Sequence, residues 1–397
     1  MLAFLQNLVE RPAPPPPPDT GDPTRTLDAL LRTAIAESAS DVHCEPKEDG
    51  LLIRFRLDGE MREHTRLPLA HRDAFLARGK IFGGMDITEK RLPQDGRATL
   101  RDGAKRFHLR LSTLPTVHGE SLVIRLLDQS MPAQTFDRLG FLPEQATALD
   151  AALHGPAGLI YLTGPTGSGK TTTLHSALHA LDHRGRVIHT LEDPVEYEFA
   201  AIRQTEIREK IGLTFATSLR ALLRQNPDVL LVGETRDAET AQLAVRAALT
   251  GHLVLSTLHT NDALSAIPRL RDLGVESFLL AAALRLVAAQ RLVRRLCPAC
   301  KAPHPESPRL AAQYLLPQAK LFRAVGCAAC HGRGYRGRLA IHEIIPAEKF
   351  LPLIAANASL ADLAALRERE GHANLWHRGL AAAATGETTV EEVARVL

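Results

Sequence analysis

Eight consecutive residues, Gly164-Pro165-Thr166-Gly167-Ser168-Gly169-Lys170-Thr171, follow the pattern GxxxxGK[ST] in full. The glycines let backbone N–H groups curl around an anion without Cβ clashes. A helix starting behind the loop adds the positive end of its dipole. Lys170 can then reach the β- and γ-phosphates of a nucleotide, and the Thr171 hydroxyl can ligate Mg²⁺, with Thr172 in the same first turn. The flanks fit, because the strand-like run GLIYLT precedes the loop and the helix-compatible TTTLHSALHAL follows it. A glycine-rich turn with an incidental lysine would not need both flanks.

Other chemistry sits at the ends of short apolar runs. DVLLVGE ends in Glu234, placed to hold a metal's water shell or orient an attacking water. Asp228 stands at the start of the same run and reads as a turn or cap. RVIHTLED ends in Glu192 and Asp193, and Pro194 enforces an extended exit. These two carboxylates face either the γ-phosphate and metal or solvent. HLVLSTLH ends in His259, either a structural histidine or a sensor of the γ-phosphate.

Cysteines supply the third cluster. Cys297-Pro-Ala-Cys300 and Cys327-Ala-Ala-Cys330 are two CxxC pairs separated by 26 residues, a donor set for tetrahedral Zn²⁺. Redox disulfides and unligated thiols are the competing readings. Cys44 reads as a small buried residue and His331 as a bystander.

The elements that must position these groups fall into a recognisable order. The Pro14–Pro18 run cannot pack a core, so residues 1–24 read as a proline-rich tail. LDALLRTAIAESA is helix-like, and LLIRFRLDG, RFHLRLSTLP and SLVIRLLD alternate, which predicts a small α+β domain over 25–128. Branched apolar runs alternating with helical segments predict buried parallel strands over 129–293. A metal module over 294–345 and a helical segment over 346–397, with Thr388 or Thr389 capping its last helix, complete the chain.

Composition bounds the rest. At 397 residues the chain exceeds one comfortable core. With 45% hydrophobic and 23% charged residues it reads as soluble, and no stretch approaches the roughly 18–20 apolar residues of a membrane span. A formal charge of +3 and 4% aromatic residues argue against a nucleic-acid surface.

Taken with their surroundings, these motifs resemble one family. GPTGSGKTTTL, LEDPVE, LRQNPDVLLVGETRDAETAQLAVRAALTGHLVLSTLHTNDA and QRLVRRLCPAC are similar to the type II secretion and type IV pilus assembly ATPases, from about Leu27 to Leu397. The resemblance implies an α/β, RecA-like P-loop ATPase core with a small N-terminal α+β domain, a tetracysteine zinc module and a C-terminal helical segment. It makes GPTGSGKT the Walker A box, LEDPVE the Asp box with Glu192 and Asp193, VGETRD the Walker B box and STLHT the His box. Glu234 becomes the catalytic carboxylate, Glu192 its assistant, and His259 the group that couples the γ-phosphate to movement. Thr235 departs from the isoleucine or methionine usual beside that glutamate.

SDVHCEP, IRFRLDG, RLPQDGR and RLSTLPTVHGES resemble the family's second N-terminal domain, in which arginines reach the nucleotide. Arg97 and Arg110 match those positions; on their own they would read as ordinary strand-face charges. Arg220 and Arg224 match further arginines near the phosphates or at the subunit joint. The resemblance also implies a hexamer, ATP, Mg²⁺ and Zn²⁺ as ligands, and a cytoplasmic site of action at inner-membrane platform proteins. The machine implied is a type II secretion pseudopilus, with type IV pilus extension or DNA uptake as alternatives. A nucleotide-binding scaffold without turnover is the rival of another class, and Glu234 speaks against it. Many relatives carry a further N-terminal platform-docking domain where this sequence has its proline-rich tail.

Overall fold

The computed structural model describes residues 22–129, 134–181, 183–316 and 319–397. The expected proline-rich tail lies outside the described residues up to position 21. The chain divides into two compact units, Met1–Pro132 and Ala133–Leu397.

The first unit opens with α1 (Pro23–Ala36). Asp22 caps it, accepting from the Thr24 amide at 2.8 Å, and Pro23 stands where no amide is needed. Leu27, Leu30, Leu31 and Ala34 form its buried stripe. Strands β1 (Ala39–Lys47), β2 (Gly50–Leu57) and β3 (Glu60–Pro68) precede α2 (Leu69–Gly83). Strands β4 (Gln94–Asp102), β5 (Lys105–Thr116) and β6 (Gly119–Asp128) follow it. They form one antiparallel sheet in the order β3-β2-β1-β6-β5-β4. Phe107, Leu109 and Leu111 of β5 join the helices' core, so the alternate residues His108, Arg110 and Ser112 face the other way.

In the second unit α3 (Pro143–Leu153) leads into β7 (Gly158–Thr163), α4 (Lys170–Ala180), β8 (Ile188–Glu192) and β9 (Arg203–Glu206). Next come α5 (Phe215–Leu222), β10 (Val229–Val232), α6 (Ala238–Leu249) and β11 (Leu253–Leu258). Two short helices, α7 (Ala266–Asp272) and α8 (Ser277–Ala283), precede the long strand β12 (Leu284–Leu296). Every residue of β7, β10 and β11 is buried, because apolar clusters cover both sheet faces. Neighbouring strands from β12 through β7, β11, β10 and β8 to β9 are parallel.

Beyond β12 lie β13 (Ala302–Pro303), α9 (Ser307–Gln313), β14 (Phe322–Arg323) and β15 (Tyr335–Pro346). β15 runs antiparallel along β12 and is the seventh strand of the large sheet. A division at 293/294 therefore falls inside β12, and most of β15 lies within the stretch expected for the metal module. Helices α10 (Leu351–Ala355), α11 (Leu360–Arg369), α12 (Leu375–Ala384) and α13 (Val390–Val396) end the chain. Thr389 caps α13 through the Glu392 amide, while the Thr388 hydroxyl donates to the Arg294 carbonyl of β12. Among the described residues no helix is long and apolar enough to cross a membrane.

Candidate active site

Parallel strands point their carboxyl ends to one edge, and the polar groups gather there. β7 ends at Thr163 and the chain leaves the sheet at Gly164, with φ 149°. A Cβ at this position would lie 2.6 Å from the Gln290 carbonyl oxygen, so only glycine lets the loop pass so close to β12. Gly169 stands before the first turn of α4 with φ 88°, a left-handed turn that aims the helix amides into the loop. Pro165, Thr166 and Gly167 are exposed, whereas Ser168 is buried and its hydroxyl has no partner among the described residues. A buried orphan hydroxyl, the amides of a helix's first turn and a lysine fit a bound anion.

Lys170 Nζ donates to the carbonyls of Gly164 at 2.6 Å and Pro165 at 3.0 Å. Burial pulls its pKa down to about 8, against the pull of Glu234 and with the help of the Arg291 charge. Thr171 and Thr172 stand half-buried in the first turn of α4.

Glu234 follows Gly233 just past the end of β10. Its Oε1 lies 3.1 Å from His259 Nε2, and its Oε2 accepts from Arg236 at 2.7 Å. Burial raises its pKa, but the Arg236 bond and the charges of Arg236, His259 and Lys170 outweigh burial, so the carboxyl stays below the ordinary range. His259, past the end of β11, is lowered by burial and by Lys170, against the pull of Glu234. Lys170, Glu234 and His259 thus share one electrostatic environment at the ends of three adjacent strands.

Backbone ties fix that arrangement. Thr257 Oγ1 donates to the Gly233 carbonyl at 2.8 Å, and the Thr235 amide donates to the Thr257 carbonyl at 3.0 Å. The Thr235 hydroxyl meets Ser256 Oγ at 2.8 Å and Tyr161 Oη at 3.3 Å, which gives this buried polar side chain a full set of partners.

Glu192 is engaged differently. Its carboxylate accepts from Thr190 Oγ1 at 2.6 Å and Gln204 Nε2 at 2.9 Å, and lies 3.1 Å from His175 Nε2 on α4. Burial opposes ionisation there, yet these bonds hold its pKa below the ordinary value. Asp193 is exposed, and its charge raises the pKa of Arg236 after that of Glu234 does. Asp228 Oδ2 accepts from the Val187 amide at 2.6 Å, a turn contact at the far end of the sheet.

The candidate arginines fall into two groups. Arg220, exposed on α5, pairs with Glu239 in the first turn of α6, and Arg224 donates to the Arg220 carbonyl at 2.9 Å. In the first unit Arg97 of β4 stands opposite Arg110 of β5, which stands opposite Arg125 of β6. Arg125 continues the row to Asp41 of β1 and Arg56 of β2. Asp41 accepts from Arg125 at 2.9 Å and lies 3.3 Å from Arg56, so one buried carboxylate neutralises part of a row of four guanidiniums.

The four cysteine sulfurs of the second unit all lie within 4.8 Å of one another. Cys297–Cys327, Cys300–Cys330 and Cys327–Cys330 are 3.9, 3.7 and 3.8 Å apart. Tetrahedral Zn²⁺ with Zn–S of about 2.3 Å requires sulfur separations of roughly 3.8 Å. The Cys327 and Gly334 amides donate to Cys330 Sγ at 3.2 and 3.1 Å, and the Gly326 amide to Cys300 Sγ at 3.3 Å, donors that suit thiolates. Cys44 is buried in the core of the first unit.

Arg236, His175, Gln290 and Arg291 contribute to the site without having been singled out from the sequence. Arg236 and the Gln290–Arg291 pair stood inside quoted motifs, VGETRD and QRLVRRL, which was the available signal. His175 is one of 17 histidines and carried none.

The family model for Type II/IV secretion system proteins matches residues 19–395. The chain belongs to this family. Type II secretion system protein E of Aeromonas hydrophila is 46% identical over 376 residues, covering 94% of this chain and 75% of that protein. Type IV pilus assembly ATPase PilB of Myxococcus xanthus is 45% identical over 386 residues, covering 94% and 68%. A crystal structure of the pilus retraction motor PilT with bound ADP aligns with a TM-score of 0.63 at 26% identity, covering 92% of this chain and 95% of that one. This secretion ATPase is accordingly an ATP hydrolase with the P-loop fold of its family.

Proposed function

We propose that this ATPase hydrolyses ATP to ADP and phosphate to drive assembly of a type II secretion pseudopilus and so protein export. The observation that carries the reading is the meeting of Lys170, Glu234 and His259 at the ends of adjacent parallel strands. Backbone amides of Gly167–Thr171 and the Lys170 ammonium bind the β- and γ-phosphates. Mg²⁺, held by the Thr171 hydroxyl, supplies further charge neutralisation when bound. Glu234, ionised at neutral pH, orients the attacking water and takes its proton as the bond to phosphorus forms. His259, in contact with Glu234, carries the state of the γ-phosphate into the segment that follows it.

Glu192 and Asp193 act beside this centre. Glu192 braces α4 through His175, and Asp193 shares Arg236 with Glu234. Arg97, Arg110, Arg220 and Arg224 bind the nucleotide's phosphates and complete the charge clamp. The working form is a hexamer acting in the cytoplasm at inner-membrane platform proteins, with one Zn²⁺ on Cys297, Cys300, Cys327 and Cys330. Identity to a type IV pilus assembly ATPase nearly equal to that with type II secretion proteins supports a second reading, pilus extension. Phosphate release by the purified chain, compared with Lys170→Ala, tests turnover. Loss of a secreted substrate from the medium, or of surface pili, on deletion in the host separates the two machines.

A further inference from the structure

Two consecutive residues of β12, Gln290 and Arg291, lie against the phosphate loop. β12 pairs with β7 as far as Ala289, which stands opposite Thr163. There β7 departs into the loop, and the next two residues of β12 fill the space it leaves.

The Gln290 side chain is 2% exposed. Its Nε2 donates to the Ser168 carbonyl at 2.7 Å, and its Oε1 accepts from Thr173 Oγ1 at 2.8 Å. One amide thus ties the apex of the loop to the first turn of α4. A carboxylate lacks the donor for the first bond, and a thioether of the same length makes neither well. The fit is close, since a Cβ on Gly169 would lie 2.7 Å from Gln290 Nε2.

Arg291 is 7% exposed and bridges outward. Its Nη1 donates to the Gln290 carbonyl at 3.0 Å and its Nη2 to the Asn261 carbonyl at 2.7 Å. Asn261 is two residues beyond His259 in the sequence. Asp262 and Glu343 partly balance the buried charge. The guanidinium therefore joins the strand beneath the phosphate loop to the segment that carries the histidine. Burial of both groups means that neither is a solvated strand-face side chain.

We propose that Gln290 and Arg291 are positioning residues for ATP hydrolysis, Gln290 holding the phosphate loop in its anion-binding shape and Arg291 locking the His259 segment to the strand beneath that loop. Neither touches substrate. The inference rests on the Lys170 loop being the nucleotide site, and it divides labour in a way that kinetics can separate. Loss of the Gln290 bonds weakens nucleotide binding. Loss of the Arg291 fork leaves binding intact and slows turnover.

The test uses the full chain. Gln290→Met keeps length and burial without the bonds, Thr173→Val breaks one of them from the other side, and Arg291→Lys keeps charge without the fork. Binding of Mg²⁺ with a fluorescent ATP analogue, phosphate release and ligand-free melting are measured on each, beside wild type and Lys170→Ala. The expected result is a Kd raised about tenfold in Gln290→Met, which loses both bonds, and less in Thr173→Val, which loses one. Arg291→Lys is expected to keep Kd within about twofold and lose about tenfold in kcat. Should Gln290→Met fail to fold, Thr173→Val alone decides, and wild-type affinity in it then overturns the role of Gln290. Wild-type affinity in both Gln290→Met and Thr173→Val, or equal losses of affinity and kcat in Arg291→Lys, overturns the inference while leaving the nucleotide site in place. Nucleotide binding that is absent from wild type, or unchanged in Lys170→Ala, removes the site reading itself and the inference with it.

Discussion

Glu234 and His259 meet at 3.1 Å across the ends of two neighbouring parallel strands, β10 and β11. Their strands are locked in register from Val229 opposite Leu253 to Val232 opposite Ser256, so the distance is set by the sheet rather than by flexible loops. A carboxylate held in this way is ready to orient water without further reorganisation.

Glu234→Gln keeps the shape of the side chain and removes its charge. Phosphate release is expected to fall about 100-fold or more, with nucleotide affinity changed by less than about threefold. Single-turnover hydrolysis beside equilibrium binding checks this, and turnover at the wild-type rate would remove Glu234 from its role.

Lys170, with its pKa drawn down to about 8, loses its charge in the free protein as pH rises through that value. A bound triphosphate favours the charged form, so its pKa rises on binding. Nucleotide affinity should therefore fall above about pH 8, and binding at about pH 9 should take up a proton. Calorimetry in buffers of different ionisation enthalpy reads that proton. Lys170→Arg, charged throughout, should show no uptake.

Arg236 holds Glu234 ionised against the cost of burial. In Arg236→Gln the Glu234 pKa should rise, and the acid limb of kcat/KM should move to higher pH. An unmoved limb would mean that another group sets it.

Chelation or Cys330→Ser should release about one zinc per chain and lower the melting midpoint by about 5 °C or more. Zinc content by mass spectrometry and melting under reducing conditions test this. A zinc-free preparation with an unchanged midpoint would leave the cysteines without a structural metal.

Much of the ATPase unit was legible because its strands are short apolar runs that end in polar residues. GLIYLT, DVLLVGE and HLVLSTLH are buried on both faces, and the chemistry begins where each run stops. Gln290 escaped that logic. It sits mid-strand in LRLVAAQRLVRRL, and its importance comes from β7 ending opposite Ala289, a register that no local pattern encodes. The line from Arg97 through Arg110, Arg125 and Asp41 to Arg56 escaped for the same reason, since five strands contribute one residue each. Glu192 was legible as a strand-end carboxylate, but the histidine, threonine and glutamine that occupy it come from α4, β8 and β9 and could not be read together.

The length of β12 has a mechanical consequence. The strand carries Gln290 beneath the phosphate loop and ends at Leu296, one residue before Cys297. Six steps of roughly 3.3 Å make this stretch of strand about 20 Å long. β15 pairs with it in unbroken register from Leu286 to Arg294, with an irregularity before Leu296, and the Arg294–Glu392 ion pair clasps it to the last helix. Any force that pulls the cysteine knot along that axis arrives, with little slack, under the nucleotide's phosphates.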